Sequence, residues 1–176
     1  TGMMALGLGV APTTAGGKKL ILRAQSTWPA GMPIFQEAAE RFANNVSKLT
    51  NGRISIEMHP AGAIVPAFEV LEAVNRGTLD LECGWTGYWK GKFPAAPLFS
   101  EALGAGAGVF DQLEWYSWMY YGGGMKLLQE MYDRGGFKVK VIHHYGILPS
   151  EDLAWSHKPI RKLEDFKGLK FRTVGY

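Results

Sequence analysis

Residues 53–58 read Arg-Ile-Ser-Ile-Glu-Met, a stretch in which polar and apolar side chains alternate. Successive side chains of a strand point to opposite faces, so Ile54, Ile56 and Met58 share one face. This period of two predicts a β-strand with one buried side. The strand ends at residues 59–62, His-Pro-Ala-Gly, because proline and glycine interrupt regular structure there.

Amphipathic helices are predicted on both sides of this strand. The upstream helix covers about residues 33–49, is ended by Asn51-Gly52, and has apolar residues spaced three and four apart. These are Phe35, Ala38, Phe42, Val46 and Leu49. The downstream helix begins near Pro66, which suits a first turn, and is closed by Arg76-Gly77. Its apolar face carries Phe68, Leu71 and Val74.

Two more strands, over residues 19–25 and 79–83, complete the pattern on either side. The order strand, helix, strand, helix, strand is typical of an α/β domain with a mostly parallel sheet. Cys83 is expected to be a small core residue on the same face as Leu79 and Leu81.

The later part of the chain is predicted to return to helices and then to a strand. A helix over residues 111–121 is indicated by the capping-box spacing of Asp111 and Glu114. Three glycines at 122–124 interrupt it, a second helix covers residues 125–132, and alternation over 137–143 predicts another strand.

Composition excludes several classes of protein. Of the 176 residues, 47% are hydrophobic and 20% charged, which indicates a globular chain. The net charge of +3 includes no concentrated basic stripe, so no nucleic-acid partner is expected. A single cysteine excludes an intrachain disulfide and a CxxC metal or redox site.

Both ends of the sequence carry information about its context. Residues 3–11 are apolar and are followed by small residues, the order found at the core and exit of a secretory signal peptide. Residues 1–18 are therefore interpreted as a signal-peptide remnant or a disordered tail, and the first interpretation implies that the protein is exported. Residues 171–176 read as a strand that runs into a turn, which suggests the N-terminal portion of a longer protein.

Aromatic residues follow two of the predicted strands. Trp28 lies in the loop after the first strand, and Trp85, Tyr88 and Trp89 come directly after the third. Ligands of α/β sheets bind at the carboxyl ends of the strands. The sequence therefore predicts a ligand pocket lined by aromatic rings.

Arg172 is the candidate for recognition of an anion. It lies in an alternating stretch and is either a solvated arginine or a clamp for a carboxylate, whose two oxygens match the guanidinium fork.

The sequence signals for a catalytic site are weak. His143 and His144 are adjacent and would point to opposite faces of a strand, and no nucleophile motif accompanies them.

Two neighbouring stretches form a motif: residues 158–160 read Lys-Pro-Ile, and residues 163–172 read Leu-Glu-Asp-Phe-Lys-Gly-Leu-Lys-Phe-Arg. This motif resembles the signature of TRAP-transporter (tripartite ATP-independent periplasmic) substrate-binding proteins. Residues 77–80, Gly-Thr-Leu-Asp, are similar to another recurrent stretch of that family. The branch that binds 2-oxo acids and related monocarboxylates is indicated by three further stretches, at residues 26–29, 66–70 and 88–96.

The resemblance implies a two-lobe α/β fold of the periplasmic-binding-protein type (type II-like), with hinge strands between the lobes. Residues 19–136 would form the first lobe, and residues 137–176 a hinge strand and the start of the second. Arg172 takes the position of the family arginine that pairs with the ligand carboxylate. Glu151 stands where relatives that bind 2-oxo acids have a glutamine. Either Glu151 holds a cation such as sodium or calcium, or the ligand differs from a simple 2-oxo acid.

The resulting expectation is a non-catalytic extracytoplasmic receptor. It would bind a small 2-oxo or 2-hydroxy monocarboxylate, including acids with an apolar or aromatic tail, and deliver it to a TRAP membrane permease without an organic cofactor. One alternative is a receptor for an ATP-driven importer or a sensor. Another is a metal-dependent α/β enzyme that uses Glu151, His143 or His144.

Overall fold

The computed structural model describes residues 18–100, 112–142 and 156–170. Its centre is a sheet of three parallel strands, β1 (Leu20–Ser26), β2 (Ile54–His59) and β3 (Leu81–Cys83), in the order β2-β1-β3. The predicted α/β class with a parallel sheet is confirmed.

Strand β3 begins two residues later than the alternation predicts. The Oδ2 atom of Asp80 accepts a hydrogen bond from the backbone N–H of Arg23 at 2.7 Å, and the Arg23 carbonyl accepts one from the N–H of Asp80. The Arg23 guanidinium also donates to the carbonyl of Thr78 at 3.0 Å. Hydrogen bonds of the Asp80 and Arg23 side chains thus replace part of the regular backbone ladder just before β3 begins.

Helices connect the strands. Helix α1 (Arg41–Leu49) follows a π-helical stretch, Phe35–Glu40, and α2 (Val70–Asn75) follows a 3₁₀ turn, Ala67–Glu69. Helices α3 (Gln112–Tyr121) and α4 (Gly124–Arg134) pack against each other later in the chain. Further 3₁₀ turns are Thr86–Trp89, Ala96–Phe99 and Leu163–Phe166.

The core is divided between the two faces of the sheet. Parallel strands require right-handed crossovers, so α1 and α2 are placed on opposite faces by the strand order. The larger cluster packs α2, α3 and α4 together around Leu71, Trp89 and Met119. The smaller one contains Trp28, Phe35, Ala39 and Cys83. Cys83 is 3% exposed, which confirms its predicted role as a small core residue. It packs in the smaller cluster whereas Leu79 packs in the larger one, so the prediction that these two residues share a face is wrong.

The buried faces of the first two helices match the predicted ones only in part. Phe35 and Leu71 are buried as predicted, but Leu49 is 87% exposed and Phe68 is 61% exposed. Ala39 and Ala43, which the predicted face did not include, are buried. A π-helical turn holds more than four residues, so it moves the inward face to positions four apart. The prediction for Leu49 fails because it assumed regular α-helical spacing from residue 33 onward.

The predicted strand over residues 137–143 is wrong for its described part. Residues 137–142 are extended and alternate in burial, as expected, but they belong to no ladder among the described residues. Side chains bind this backbone instead. The Gln129 amide accepts from the N–H of Val141 at 2.9 Å and donates to the carbonyl of Val139 at 2.8 Å. Asn75 Oδ1 accepts from the N–H of Lys138 at 2.7 Å.

The turn between α3 and α4 depends on its glycines. Gly123 has a φ of +94°, and a Cβ on Gly124 would lie 2.7 Å from the Cα of Met119. This close approach makes residues 122–124 a closely packed turn. Within the described ranges, no helix has both the length and the apolar character needed to cross a membrane.

Candidate functional site

A cavity of about 480 Å³ opens beside β3, and its upper part lies at the carboxyl ends of the strands. One wall comes from the α1 side of the sheet and the opposite one from α2 and α4. The extended segment 138–142 also contributes to the lining. Residues that line it include Trp28, Met58, Leu71, Gly84, Trp85, Thr86, Leu128, Tyr132 and Val139.

Trp28 is held in the cavity wall by its backbone. Its N–H donates to the Oγ of Ser26 at 3.0 Å, and its carbonyl accepts from the N–H of Ala61 at 2.9 Å. The preceding residue, Thr27, donates its N–H to the carbonyl of Cys83 at 2.9 Å. The loop after β1 is therefore tied both to β3 and to the loop after β2, which fixes the position of the indole.

Gln25 fixes a second loop at the same end of the sheet. Its side chain is fully buried, and its Oε1 accepts from the N–H groups of Ile64 and Val65 at 2.8 and 3.0 Å. Its Nε2 donates to the carbonyl of Val65 at 2.7 Å. A buried polar side chain is stable when its hydrogen bonds are satisfied in this way. The loop that follows β2 is thus held against the end of β1.

One glycine gives the Trp85 ring its place. A Cβ on Gly87 would lie 2.7 Å from carbons of the Trp85 ring, so the ring lies directly over this glycine. Tyr88 packs edge-on against the ring at a centroid distance of 5.1 Å. Trp85 is partly exposed and lines the cavity, which is the arrangement expected of a ring that contacts a ligand.

Tyr88 and Trp89 do not line the cavity. Tyr88 is 38% exposed and packs between Trp85 and Phe68, so it supports Trp85 from outside. Trp89 is 1% exposed and lies in the larger core cluster, with the Lys92 ammonium 5.9 Å from its ring centre. The 3₁₀ turn places the adjacent residues Tyr88 and Trp89 in different surroundings. The sequence pattern did not distinguish the two.

Sequence reasoning missed the polar side of the cavity. Glu82 and Tyr132 both line it. Burial, together with the nearby charge of Glu72, raises the pKa of Glu82 from 4.5 to about 7. Burial and the charge of Glu82 raise the pKa of Tyr132 above its usual range, and its hydroxyl shares a hydrogen bond with the Thr86 side chain. The available signal was one acidic residue in an otherwise apolar strand, Leu-Glu-Cys.

Two predicted site residues, Arg172 and Glu151, lie outside the described residues, and so do His143 and His144. In the part of the chain that the structure describes, no group of three or more His, Cys, Asp or Glu side chains could hold a metal ion. Glu151 stays the predicted contact for a cation.

A parallel α/β unit with a ring-lined cavity at its strand ends defines a ligand-binding lobe. The model of the family DctP, bacterial extracellular solute-binding protein family 7, matches residues 24–175. The chain belongs to this family, and the predicted location outside the cytoplasm is confirmed by the membership. Family 7 is a family of solute-binding proteins and not of enzymes.

A curated relative and solved structures agree with this assignment. The chain is 36% identical over 155 residues to the monocarboxylate 2-oxoacid-binding periplasmic protein all3028 of Nostoc sp., covering 87% of this chain and 40% of the relative. It thus spans well under half of that relative's length.

Two TRAP periplasmic solute-binding proteins have the same fold. The one from Pseudoalteromonas atlantica, with bound sodium and pyruvate, is 33% identical, with a TM-score of 0.60. The one from Colwellia psychrerythraea, with bound calcium and pyruvate, is 30% identical, with a TM-score of 0.60. In both cases the match covers 68% of this chain and 35% of the other. The resemblance to TRAP-transporter substrate-binding proteins is confirmed.

Proposed function

We propose that this chain contributes the first lobe of a periplasmic receptor for small monocarboxylates. The ligand is a 2-oxo or 2-hydroxy acid, and the receptor delivers it to a TRAP permease without chemical change. The observation that carries the proposal is the cavity walled by Trp28 and Trp85 at the carboxyl ends of β1 and β3, in a chain of this family. Residues 19–136 form this lobe, and residues 137–176 begin the hinge and the second lobe.

Recognition of the acid is divided between charge and shape. Arg172 supplies a planar fork for the carboxylate, and expulsion of water on closure strengthens that pair. The indoles of Trp28 and Trp85 supply flat apolar walls, which suit the carbon skeleton and any apolar or aromatic tail. Closure of the two lobes then encloses the ligand, as in other hinged receptors.

A bound cation is the second part of the proposal. Two neighbours were solved with sodium or calcium beside pyruvate, which supports a cation in this receptor as well. Glu151 is the residue proposed to hold it, because a carboxylate there would otherwise repel the ligand. The cation neutralises that repulsion, and no organic cofactor is needed. TRAP transport, rather than an ATP-driven importer, is supported by the descriptions of the structural neighbours.

A thermal-shift panel on the complete receptor tests this function. The panel contains 2-oxo acids, 2-hydroxy acids, aromatic acids and dicarboxylates, each with and without chelator. Ligand at 100 times its Kd adds about 2.7 kcal/mol, which gives a clear rise in Tm. We expect the rise with monocarboxylates and its loss in Arg172→Ala. Stabilisation by none of the acids would overturn the proposal.

A further inference from the structure

One acidic side chain of the cavity is not used by the proposed binding of the carboxylate. Glu82 lies on β3, and its Oε2 atom is buried without a hydrogen-bond partner in the described structure. The Oγ1 atom of Thr27 is a second buried oxygen of the same kind. Both atoms lie within 3.4 Å of the position that a Cβ on Gly84 would take. Glycine at position 84 therefore leaves a polar recess between the ends of β1 and β3.

The groups around Glu82 leave its charge without a counterion among the described residues. The titratable groups that face the cavity with it, or act on it, are Glu72 of α2, Tyr132 of α4, Asp80 before β3, and Lys138 and Lys140 of the extended segment. Glu72 is itself paired with Lys92 at 2.7 Å. Both lysines of the segment are exposed to solvent.

These surroundings allow the Glu82 carboxyl to be either neutral or ionised. Burial, followed by the charge of Glu72, raises its pKa to about 7. A buried carboxylate without a partner is costly, whereas a neutral carboxyl can both donate and accept a hydrogen bond. A ligand that donates a hydrogen bond can therefore bind the carboxylate, whereas a ligand that can only accept one selects the neutral carboxyl.

We propose that Glu82 recognises the substituent at C2 of the bound acid, donating a hydrogen bond to a 2-oxo oxygen as the neutral carboxyl and accepting one from a 2-hydroxyl group as the carboxylate. The proposal rests on the function proposed above. A 2-oxo oxygen can only accept hydrogen bonds, so it cannot donate one to the carboxylate form of Glu82. A 2-hydroxyl group carries a proton and can donate a hydrogen bond to that carboxylate.

Selectivity between the two kinds of acid consequently depends on pH. Above the pKa of Glu82, a 2-oxo acid must bind together with a proton, and its affinity falls by up to about tenfold for each pH unit. A 2-hydroxy acid carries no such requirement. It can bind either form of Glu82, so the ratio of the two affinities isolates the hydrogen bond at C2.

The test measures the Kd of pyruvate and of lactate for the complete receptor by calorimetry, between about pH 6 and pH 8.5. Both acids are ionised throughout this range. We expect the preference for pyruvate over lactate to fall at least tenfold from the lower to the higher pH. Glu82→Gln, which can donate and accept at every pH, should hold the ratio constant. Glu57→Gln, at an exposed position of β2, is the matched control and should behave as the wild type.

Proton uptake on the unmodified receptor gives a readout that needs no variant. Titrations at about pH 7.5 in two buffers of different ionisation enthalpy should show uptake of between roughly half a proton and one proton with pyruvate, and less with lactate.

Three results would overturn the role of Glu82 while leaving the receptor function standing. They are a ratio independent of pH, a ratio that changes equally in Glu82→Gln, and a ratio that follows sodium or calcium concentration instead of pH. Failure of both acids to bind at any pH would instead overturn the proposed function itself.

Discussion

Gly87 shows how a residue without a side chain determines the position of one that has a large side chain. The Trp85 ring occupies the space where a Cβ on Gly87 would lie. The sequence placed Trp85 at a strand end correctly, from its position after an apolar strand. It gave no indication that Trp89, four residues on, is a core residue, because the 3₁₀ turn that separates them leaves no periodic signal.

Gly87→Ala is expected to displace the Trp85 ring from the cavity wall. The added methyl group would lie 2.7 Å from ring carbons, and such overpacking costs about 1–3 kcal/mol. We expect a lower Tm, weaker binding of the acid and a changed tryptophan emission spectrum. Gly91→Ala is the matched control, because nothing lies within 4 Å of its Cβ position. Equal effects of the two variants would contradict the placement of Trp85.

Trp85→Ala tests the apolar wall by ligand size. Removal of the indole should weaken the binding of acids with aromatic or long apolar tails more than that of pyruvate-sized acids, because only the former reach the wall. Calorimetric Kd values for one bulky and one small acid measure the difference. An equal loss for both acids would show that Trp85 acts through the fold and not through contact with a tail.

Glu82 makes stability depend on pH with a definite sign. Its pKa is raised from 4.5 to about 7 in the folded state, so the stabilisation is complete below about pH 4.5 and is lost as the pH rises through 7. The loss amounts to no more than about 3 kcal/mol. Glu82→Gln should therefore be more stable than the wild type at pH 8 and similar at pH 5, in denaturant titrations of the complete receptor. A variant that is less stable at pH 8 would contradict the burial of this carboxyl.

At the scale of elements, periodicity predicted the three strands and the helices between them. It failed where local hydrogen bonds replaced regular ones. The π-helical stretch before α1 moved the buried face away from Leu49, and the extended segment 137–142 kept its alternation without joining a ladder in the described structure. Neither feature has a signature in apolar spacing, since both depend on backbone partners.

The extended segment is expected to depend on one side chain of α4. Gln129 bonds the backbone on both sides of Lys140, so Gln129→Ala should release the N–H of Val141 and the carbonyl of Val139. Leaving these partly buried backbone groups without partners costs about 1 kcal/mol or more. Hydrogen exchange at Val141 should accelerate at least tenfold. Lys126→Ala, on the same helix, is the control, and an unchanged exchange rate at Val141 in Gln129→Ala would contradict this role.

At the scale of the whole molecule, the described residues form a cavity beside β3 that reaches the carboxyl ends of the strands. Trp28, which is 9% exposed, and the partly exposed Trp85 line it there. The class of fold and the ring-lined strand ends could be predicted from the sequence, because both follow from the order and length of apolar segments. The polar recess at Glu82 could not, since it depends on how the ends of β1 and β3 meet.

The most direct test of the central claim is a calorimetric titration of the complete receptor with pyruvate at about pH 6.5. The account predicts saturable binding of one pyruvate per chain, with the affinity reduced at least a hundredfold in Arg172→Ala, because that variant loses the bidentate partner of the carboxylate. Binding that persists unchanged in Arg172→Ala would contradict the proposed recognition. The absence of any binding by pyruvate, lactate or their larger analogues would contradict the receptor function.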